Sequence, residues 1–102
     1  LAINYGGWDE IARAINKALS AGITSFTPET LLSFVDNPSV PLPDMIVRSA
    51  GEERLSGFML LQSNYSEFGF YDDLWPDWNE AMVDRIVSDY QSRTRKYGGL
   101  VK

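Results

Sequence analysis

Two arginines carry the first chemical signal of this 102-residue chain. Arg48 ends the apolar run Met45-Ile46-Val47, and Arg54 follows six residues later, after the loop Ser49-Ala50-Gly51-Glu52-Glu53. Ser56 then opens a second apolar stretch. Guanidinium forks match phosphate oxygens two at a time. The first turn of a helix offers unpaired N–H donors and the favourable end of the helix dipole. Ligands of parallel α/β sheets gather beyond the carboxyl ends of the strands. A strand ending in arginine, a tight glycine loop, a second arginine and a serine at a helix start therefore describe a pyrophosphate trap. The competing reading is local neutralisation of both arginines by Asp44, Glu52 or Glu53.

Other polar residues are less specific on spacing alone. Glu67 reads as a solvated carboxylate at the start of a strand. Asp72-Asp73 resembles a metal pair outwardly, but loop carboxylates are usually solvated. Trp75 and Trp78 read as core or interface anchors, and Asp77 as a helix cap. The chain has no cysteine and no histidine, which removes disulfides, thiolate metal sites, Ser-His chemistry and His-metal chemistry. A net charge of −5 argues against a nucleic-acid footprint, which needs a basic face. It still permits a local basic pocket for a small anion.

The elements that must position these groups follow from periodicity. Leu1-Ala2-Ile3-Asn4-Tyr5 reads as a strand turned by Gly6-Gly7. Trp8 to Leu19 reads as a helix with Ile11, Ile15, Ala18 and Leu19 on one face, Asp9 and Glu10 in its first turn, and Ala21-Gly22 at its end. Thr27-Pro28-Glu29 starts a short helix carrying Leu31, Leu32, Phe34 and Val35. Met45-Ile46-Val47, continuously apolar, is the second strand, as expected when both sheet faces are covered. Ser56 to about Asn64 reads as a short helix and Glu67 to Tyr71 as the third strand. Asp77 is expected to cap a long helix from Trp78 to about Lys96, with Trp78, Met82, Ile86, Val87 and Tyr90 as its apolar stripe and Gly98-Gly99 as its stop. The order is that of an α/β fold with parallel strands and right-handed crossovers. A three-stranded sheet would leave an edge for a partner, a domain swap or further strands to cover. The length fits one small domain or part of a larger one, the 44% hydrophobic content fits a packed core, and no apolar run approaches the ~20 residues that span a bilayer. Leu1-Ala2-Ile3 looks like the middle of a strand, so the expectation is that the beginning of a longer protein is missing.

Several motifs, in order, resemble those of the cis-prenyltransferases, whose bacterial type is undecaprenyl diphosphate synthase. Asn4-Tyr5-Gly6-Gly7 is similar to the family's Asn-Tyr-Gly-Gly-Arg turn. Arg48 to Phe58, continued by Gln62, Tyr65, Ser66 and Glu67, is similar to its Arg-Thr-Ser-Gly-Glu-x-Arg-Leu-Ser-Asn-Phe signature. Leu74-Trp75-Pro76-Asp77-Trp78 is similar to its Leu-Trp-Pro-Asp-Phe block. Arg93-Thr94-Arg95-Lys96-Tyr97-Gly98-Gly99 is similar to its Arg-x-Arg-Arg-Phe-Gly-Gly end. The sequence departs from the pattern at Trp8, Ala50, Gly57, Leu61, Asn64 and Lys96. Trp8 replaces a basic contact, and Lys96 keeps a charge while losing the planar fork.

The resemblance implies an isoprenyl diphosphate synthase that condenses isopentenyl diphosphate with an allylic diphosphate, in the biosynthesis of isoprenoids such as the cell-wall lipid carrier. It implies that Arg48, Gly51, Arg54 and Ser56 bind isopentenyl diphosphate. Glu67 is implied to be a Mg2+-associated carboxylate reaching a partner subunit's site, Trp75 and Asp77 catalytic-loop residues near the substrates and the dimer interface, and Lys96 a residue that crosses to the neighbour's phosphate site. A homodimer, a cytoplasmic location and peripheral membrane contact through the lipid product follow, without nucleic acid or a transmembrane segment. The family's Asp-Gly-Asn-x-Arg-Trp motif, whose aspartate binds magnesium and the primer diphosphate, is not among these residues, so the isolated chain is expected to be inactive. The alternative is a non-catalytic interaction subunit that pairs with a catalytic chain, as Nogo-B-receptor-like subunits do. Retention of the Arg48-to-Ser56 signature favours the enzyme.

Overall fold

The computed structural model describes residues 1–95. They form helix α1 (Gly7–Ser20), helix α2 (Pro28–Leu32), strand β1 (Met45–Arg48), strand β2 (Glu67–Phe70), a 3-10 turn (Trp75–Asp77) and helix α3 (Glu80–Gln91). The expected Lys96 contact and the Gly98-Gly99 stop lie outside the described residues. Contacts group the chain into two compact units. The first comprises Leu1–Leu42 with Leu55–Asn64, the second Pro43–Arg54 with the described residues from Tyr65 on.

In the first unit α1 is set by its ends. Asp9 and Glu10 occupy its first turn. At its far end Gly22 adopts φ 86°, the Gly22 N–H donates to the Leu19 carbonyl, and the Ile23 N–H donates to that of Ala18. Only a residue without Cβ takes that left-handed position cheaply, so the helix stops there. Thr27 caps α2, its Oγ1 accepting the Thr30 N–H at 3.1 Å. The buried row of α1 is Glu10, Ala14 and Ala18, so Ala18 is the one member of the expected face that is buried. Ile15 and Leu19 of that face are 38% and 53% exposed.

Two expected elements of this unit are absent. Leu1 to Tyr5 is not a strand: Asn4 has φ 54°, which bends the backbone out of the extended region, and no described strand pairs with it. Ser56 to Asn64 is a run of turns rather than a helix. Ser56, Gly57 and Met59 have φ of 51°, 78° and 48°. A right-handed helix cannot propagate through left-handed residues, whatever the apolar pattern.

In the second unit β1 and β2 are parallel, with Met45 opposite Glu67 and Arg48 opposite Phe70. Among the described residues the sheet is two-stranded rather than three-stranded. Ile46 and Met82 are buried, and α3 packs on β2. The expected cap of α3 is displaced by two residues. Asp77 belongs to the 3-10 turn, while the Asn79 Oδ1 accepts the Met82 N–H at 3.1 Å and starts the helix at Glu80. Proline at position 76 fixes the preceding turn, so the right-handed run can begin only after Trp78 leaves it with extended backbone.

Candidate functional site

Arg48 is the last residue of β1, at the carboxyl end of the parallel pair. The loop beyond it reverses through two left-handed residues, Ala50 (φ 58°) and Gly51 (φ 69°). The segment following β2 holds that loop: Ala50 N–H donates to the Asp73 carbonyl at 3.0 Å and Gly51 N–H to the Tyr71 carbonyl at 2.9 Å. Gly51 has little room for a side chain, since a Cβ there would sit 3.1 Å from the Asp72 Oδ1. The loop closes when the Arg48 guanidinium donates to the main-chain carbonyl of Arg54. Arg54 in turn ion-pairs with Glu52. The local-neutralisation reading therefore describes Arg54, and the chain still brings Arg48, Gly51 and Arg54 into one loop. Asp44 is engaged elsewhere, by Arg95 at 2.9 Å.

Trp78, which follows Asp77 in the chain, adjoins this loop through a shared acceptor. The Asp73 carbonyl that receives Ala50 N–H also receives the Trp78 Nε1–H at 3.3 Å. Trp78 packs against Trp75 with ring centroids 5.0 Å apart. Trp75 is 69% exposed, so it stands at the surface rather than in the core. The Asp73 carboxylate meets Arg85 at 2.8 Å, and that hydrogen bond holds it below the usual carboxylate range. Arg85 also lies 4.9 Å above the Tyr71 ring. Burial, then the hydrogen bond to Asp89, pushes the Tyr71 phenol up. The Asp72-Asp73 pair is thus a loop support and a salt-bridge partner, and no cluster of three ligating side chains exists among the described residues.

Glu67 is not brought to Arg48 within the chain. It opens β2 at the amino end of the strands, opposite Met45, while Arg48 lies opposite Phe70. At ~3.3 Å per residue the separation along the strands is about 10 Å. The Glu67 carboxylate makes no hydrogen bond or ion pair among the described residues. Two arginines gather at that end: Arg93 donates to the Phe68 carbonyl, and Arg95 reaches Asp44 and, at 3.0 Å, the Tyr65 carbonyl. One carboxylate suits Mg2+, which keeps several waters and takes one or two carboxylates plus substrate phosphates.

Ser56 belongs to the first unit, on the left-handed turn with Gly57 and Met59. Gly7 allows that turn to approach α1, since a Cβ on Gly7 would lie 2.0 Å from the Gly57 carbonyl oxygen. Beside it is a buried polar cluster that sequence reasoning missed. Glu10, 4% exposed, accepts from the Tyr5 hydroxyl, from Gln62 Nε2 at 3.0 Å and from the Asp36 N–H at 3.2 Å. Burial, then the hydrogen bond to Glu10, pushes the Tyr5 phenol up to about 12. One signal was available: Glu10 occupies the row with Ala14 and Ala18 at intervals of four, the row small enough to pack. A cavity of about 1050 Å3 in this unit is bordered by Tyr5, Glu10, Leu32, Phe58 and Gln62, and none of Arg48, Arg54, Glu67, Trp75 or Asp77 lines it.

A parallel strand pair with flanking helices, with an arginine-bearing loop at the carboxyl end of its strands, defines an α/β protein. The chain belongs to the prenyltransferase family described as undecaprenyl diphosphate synthase, whose model matches residues 1–98. It is 44% identical over 98 residues to an isoprenyl transferase of Treponema denticola, covering 96% of this chain and 43% of that relative. It is 37% identical to a ditrans,polycis-undecaprenyl-diphosphate synthase ((2E,6E)-farnesyl-diphosphate specific) of Micrococcus luteus, covering 97% of this chain and 42% of that one. Among solved structures it is similar to lavandulyl diphosphate synthase from Lavandula x intermedia in complex with dimethylallyl diphosphate. There the TM-score is 0.87 at 33% identity, covering 97% of this chain and 45% of that one. A probable undecaprenyl diphosphate synthase of Campylobacter jejuni gives a TM-score of 0.85, also at 33% identity, over 97% of this chain and 46% of that one. The chain thus spans less than half the length of these relatives.

Proposed function

We propose that residues 1–102 are the C-terminal, isopentenyl-diphosphate-holding part of a single cis-prenyltransferase domain. The observation that supports this best is the loop closed by Arg48 on the Arg54 carbonyl at the carboxyl end of β1. A diphosphate entering there trades the Glu52 carboxylate on Arg54 for phosphate oxygens, a charge-assisted exchange that costs little because Glu52 and Arg54 are both exposed. Gly51 keeps the loop backbone uncluttered. Held in this way, isopentenyl diphosphate presents its double bond to the C1 of an allylic diphosphate, and orientation makes the encounter nearly intramolecular. Trp78 joins the loop at the Asp73 carbonyl and Trp75 packs on Trp78; in this reading Trp75 and Asp77 shape the approach of the second substrate.

Glu67 is the residue that would hold Mg2+, together with diphosphate oxygens and water. Magnesium, when bound, neutralises charge on the departing pyrophosphate. The position of Glu67 at the opposite end of β2 from Arg48 favours its service to a site in a second copy, hence a homodimer. No helix among the described residues is long and apolar enough to cross a membrane. The reading places the protein in the cytoplasm, touching the membrane through a lipid product such as the cell-wall carrier.

Calorimetric titration of the chain with isopentenyl diphosphate tests the reading. Binding is expected, and Arg48→Ala is expected to weaken it roughly tenfold to a hundredfold, the loss of a charged hydrogen-bond partner. Equal affinity of the two proteins removes Arg48 from the site. Incubation of the chain alone with labelled isopentenyl diphosphate and an allylic diphosphate should give no elongation. Measurable product would overturn the assignment of primer activation to groups outside these residues.

A further inference from the structure

The arginine loop hangs on one short segment of the same unit. Tyr71, the residue after β2, donates its N–H to the Arg48 carbonyl at 3.0 Å and accepts the Gly51 N–H at 2.9 Å. Two residues on, the Asp73 carbonyl accepts the Ala50 N–H at 3.0 Å. Ala50 and Gly51 are the left-handed residues of the loop, and Ala50 takes that backbone without being glycine. A residue with a Cβ keeps such a conformation only when its surroundings over-determine it. The main chain from Tyr71 to Asp73 supplies that restraint.

The segment is gripped in turn from α3. Arg85 and Asp89 are four residues apart, hence neighbours on one helix face. The Tyr71 hydroxyl donates to Asp89 Oδ2 at 2.5 Å. Arg85 donates to Asp73 Oδ1 at 2.8 Å and lies 4.9 Å over the Tyr71 ring. Of the two prongs, the tyrosine is the stronger anchor. The Arg85 and Asp73 side chains are 49% and 41% exposed, and exposed ion pairs hold little. Tyr71 is buried, and burial with the Asp89 hydrogen bond pushes its phenol up, so the hydroxyl keeps the proton it donates. Gly69 makes room for the ring on the same strand face, since a Cβ there would lie 2.8 Å from Tyr71 Cε2.

We propose that Tyr71 is a positioning residue for diphosphate binding: its hydroxyl, anchored on Asp89, fixes the strand end whose main chain holds the Arg48 carbonyl and the Gly51 N–H, and so sets the arginine loop. This rests on the diphosphate reading given above. Arg48, Arg54, Tyr71, Asp73, Arg85 and Asp89 all lie in the second unit. The Tyr71 side chain faces α3 and acts on the anion only through the loop.

Amide hydrogen exchange of the whole chain, read by NMR, and calorimetric binding of inorganic pyrophosphate test this together. Tyr71→Phe keeps the ring and removes the hydrogen bond to Asp89. It should speed exchange of the Ala50 and Gly51 amides roughly threefold to tenfold, the factor that one net hydrogen bond represents. It should weaken pyrophosphate binding by a similar factor. The Glu67 N–H, bonded to the Asp44 carbonyl at 2.9 Å at the other end of the strand pair, should exchange within about twofold of the parent. Asp89→Ala should reproduce both losses, and combined with Tyr71→Phe it should add nothing, because both remove one interaction. Asp89→Asn keeps an acceptor and should lie nearer the parent in both readouts. If Asp89→Ala fails to fold, the Tyr71→Phe arm still decides. Undiminished pyrophosphate affinity in Tyr71→Phe overturns the proposal, as do unchanged Ala50 and Gly51 protection, or a Glu67 amide that speeds as much as they do. A parent chain that binds no pyrophosphate overturns the diphosphate reading, while the exchange arm still shows whether Tyr71 sets the loop.

Discussion

The guanidinium of Arg48 donates to the main-chain carbonyl of Arg54 and so ties the last residue of β1 to the far end of its own loop. The relationship makes Arg48 both a charge and a brace. Lysine would keep the charge but presents a point ammonium on a flexible stem, without the fork that can brace the loop while meeting a phosphate. Arg48→Lys is therefore expected to bind isopentenyl diphosphate at least about tenfold more weakly than the parent by calorimetry. Parent-like affinity in the lysine variant would show that charge alone suffices.

Ala50 pays a conformational penalty in the same loop, at φ 58°. Ala50→Gly should stabilise the chain by about 0.5–1 kcal/mol, because glycine occupies the left-handed region without steric cost and the native hydrogen bond to Asp73 is kept. Part of the gain is offset by greater freedom of the unfolded glycine chain. Urea denaturation followed by circular dichroism measures it, and a lower midpoint for the glycine variant would contradict the assignment.

Gly7 tests the approach of α1 to the Ser56 turn. A Cβ at this residue would lie 2.0 Å from the Gly57 carbonyl oxygen and 2.9 Å from a Leu60 side-chain carbon. Backbone must move to admit it, so Gly7→Ala should destabilise the chain by about 1–3 kcal/mol, the range of an overpacked site. The first unit should also lose protection in hydrogen exchange. A neutral effect on the denaturation midpoint would refute the close contact.

The cap of α3 separates two neighbouring polar residues. Asn79 accepts the Met82 N–H, whereas Asp77 lies in the preceding 3-10 turn. Asn79→Ala should therefore cost about 1 kcal/mol of stability, while Asp77→Ala should leave stability within about 0.5 kcal/mol. The reverse order would restore Asp77 as the cap. The same Asp77 variant, if it weakens substrate binding without loss of stability, separates a site role from a structural one.

Tyr5 gives the chain an alkaline limit. Its hydroxyl faces Glu10 and, further off, Asp36, and desolvation with those charges raises it from 10.0 to about 12. A folded-state value above the unfolded one means that the stabilisation is complete below pH 10 and is lost as pH rises toward about 12. Tyr71, also raised by burial and Asp89, adds to the same trend. Asp36 and Asp73 run the opposite way. Held low by Arg13 and Arg85, they stabilise above the ordinary carboxylate range and lose that contribution as the solution is acidified through their lowered values. Urea midpoints measured across pH should fall as pH rises from 10 toward about 12 in the parent, and Tyr5→Phe should flatten that fall.

Much of the candidate site was legible because its signals are local. Arg48, Gly51 and Arg54 lie within one short loop, so their convergence needs only a strand that ends at Arg48 and a reversal that glycine permits. The parallel pairing of β1 with β2 followed from the order of elements along the chain, and the Thr27 cap from a hydroxyl before proline. The helix expected at Ser56 failed for the opposite reason. Its apolar pattern is helical, but the backbone is set by a Tyr5 hydroxyl and a Gly7 contact supplied from some fifty residues away. The position of Asp77 was misread because proline at position 76 acts on the residues around it, displacing the helix start to Asn79.

The amino-acid sequence by itself determined the family, the α/β class, and which residues can meet an anion, since these rest on residue types at short spacing. Only the tertiary structure decided that Arg48 braces the Arg54 carbonyl, that Glu67 stands at the other end of the strands, and that Glu10 is buried under three donors. Those relationships depend on which distant backbone groups arrive beside a side chain, and long-range hydrogen bonds leave no periodic trace in the sequence.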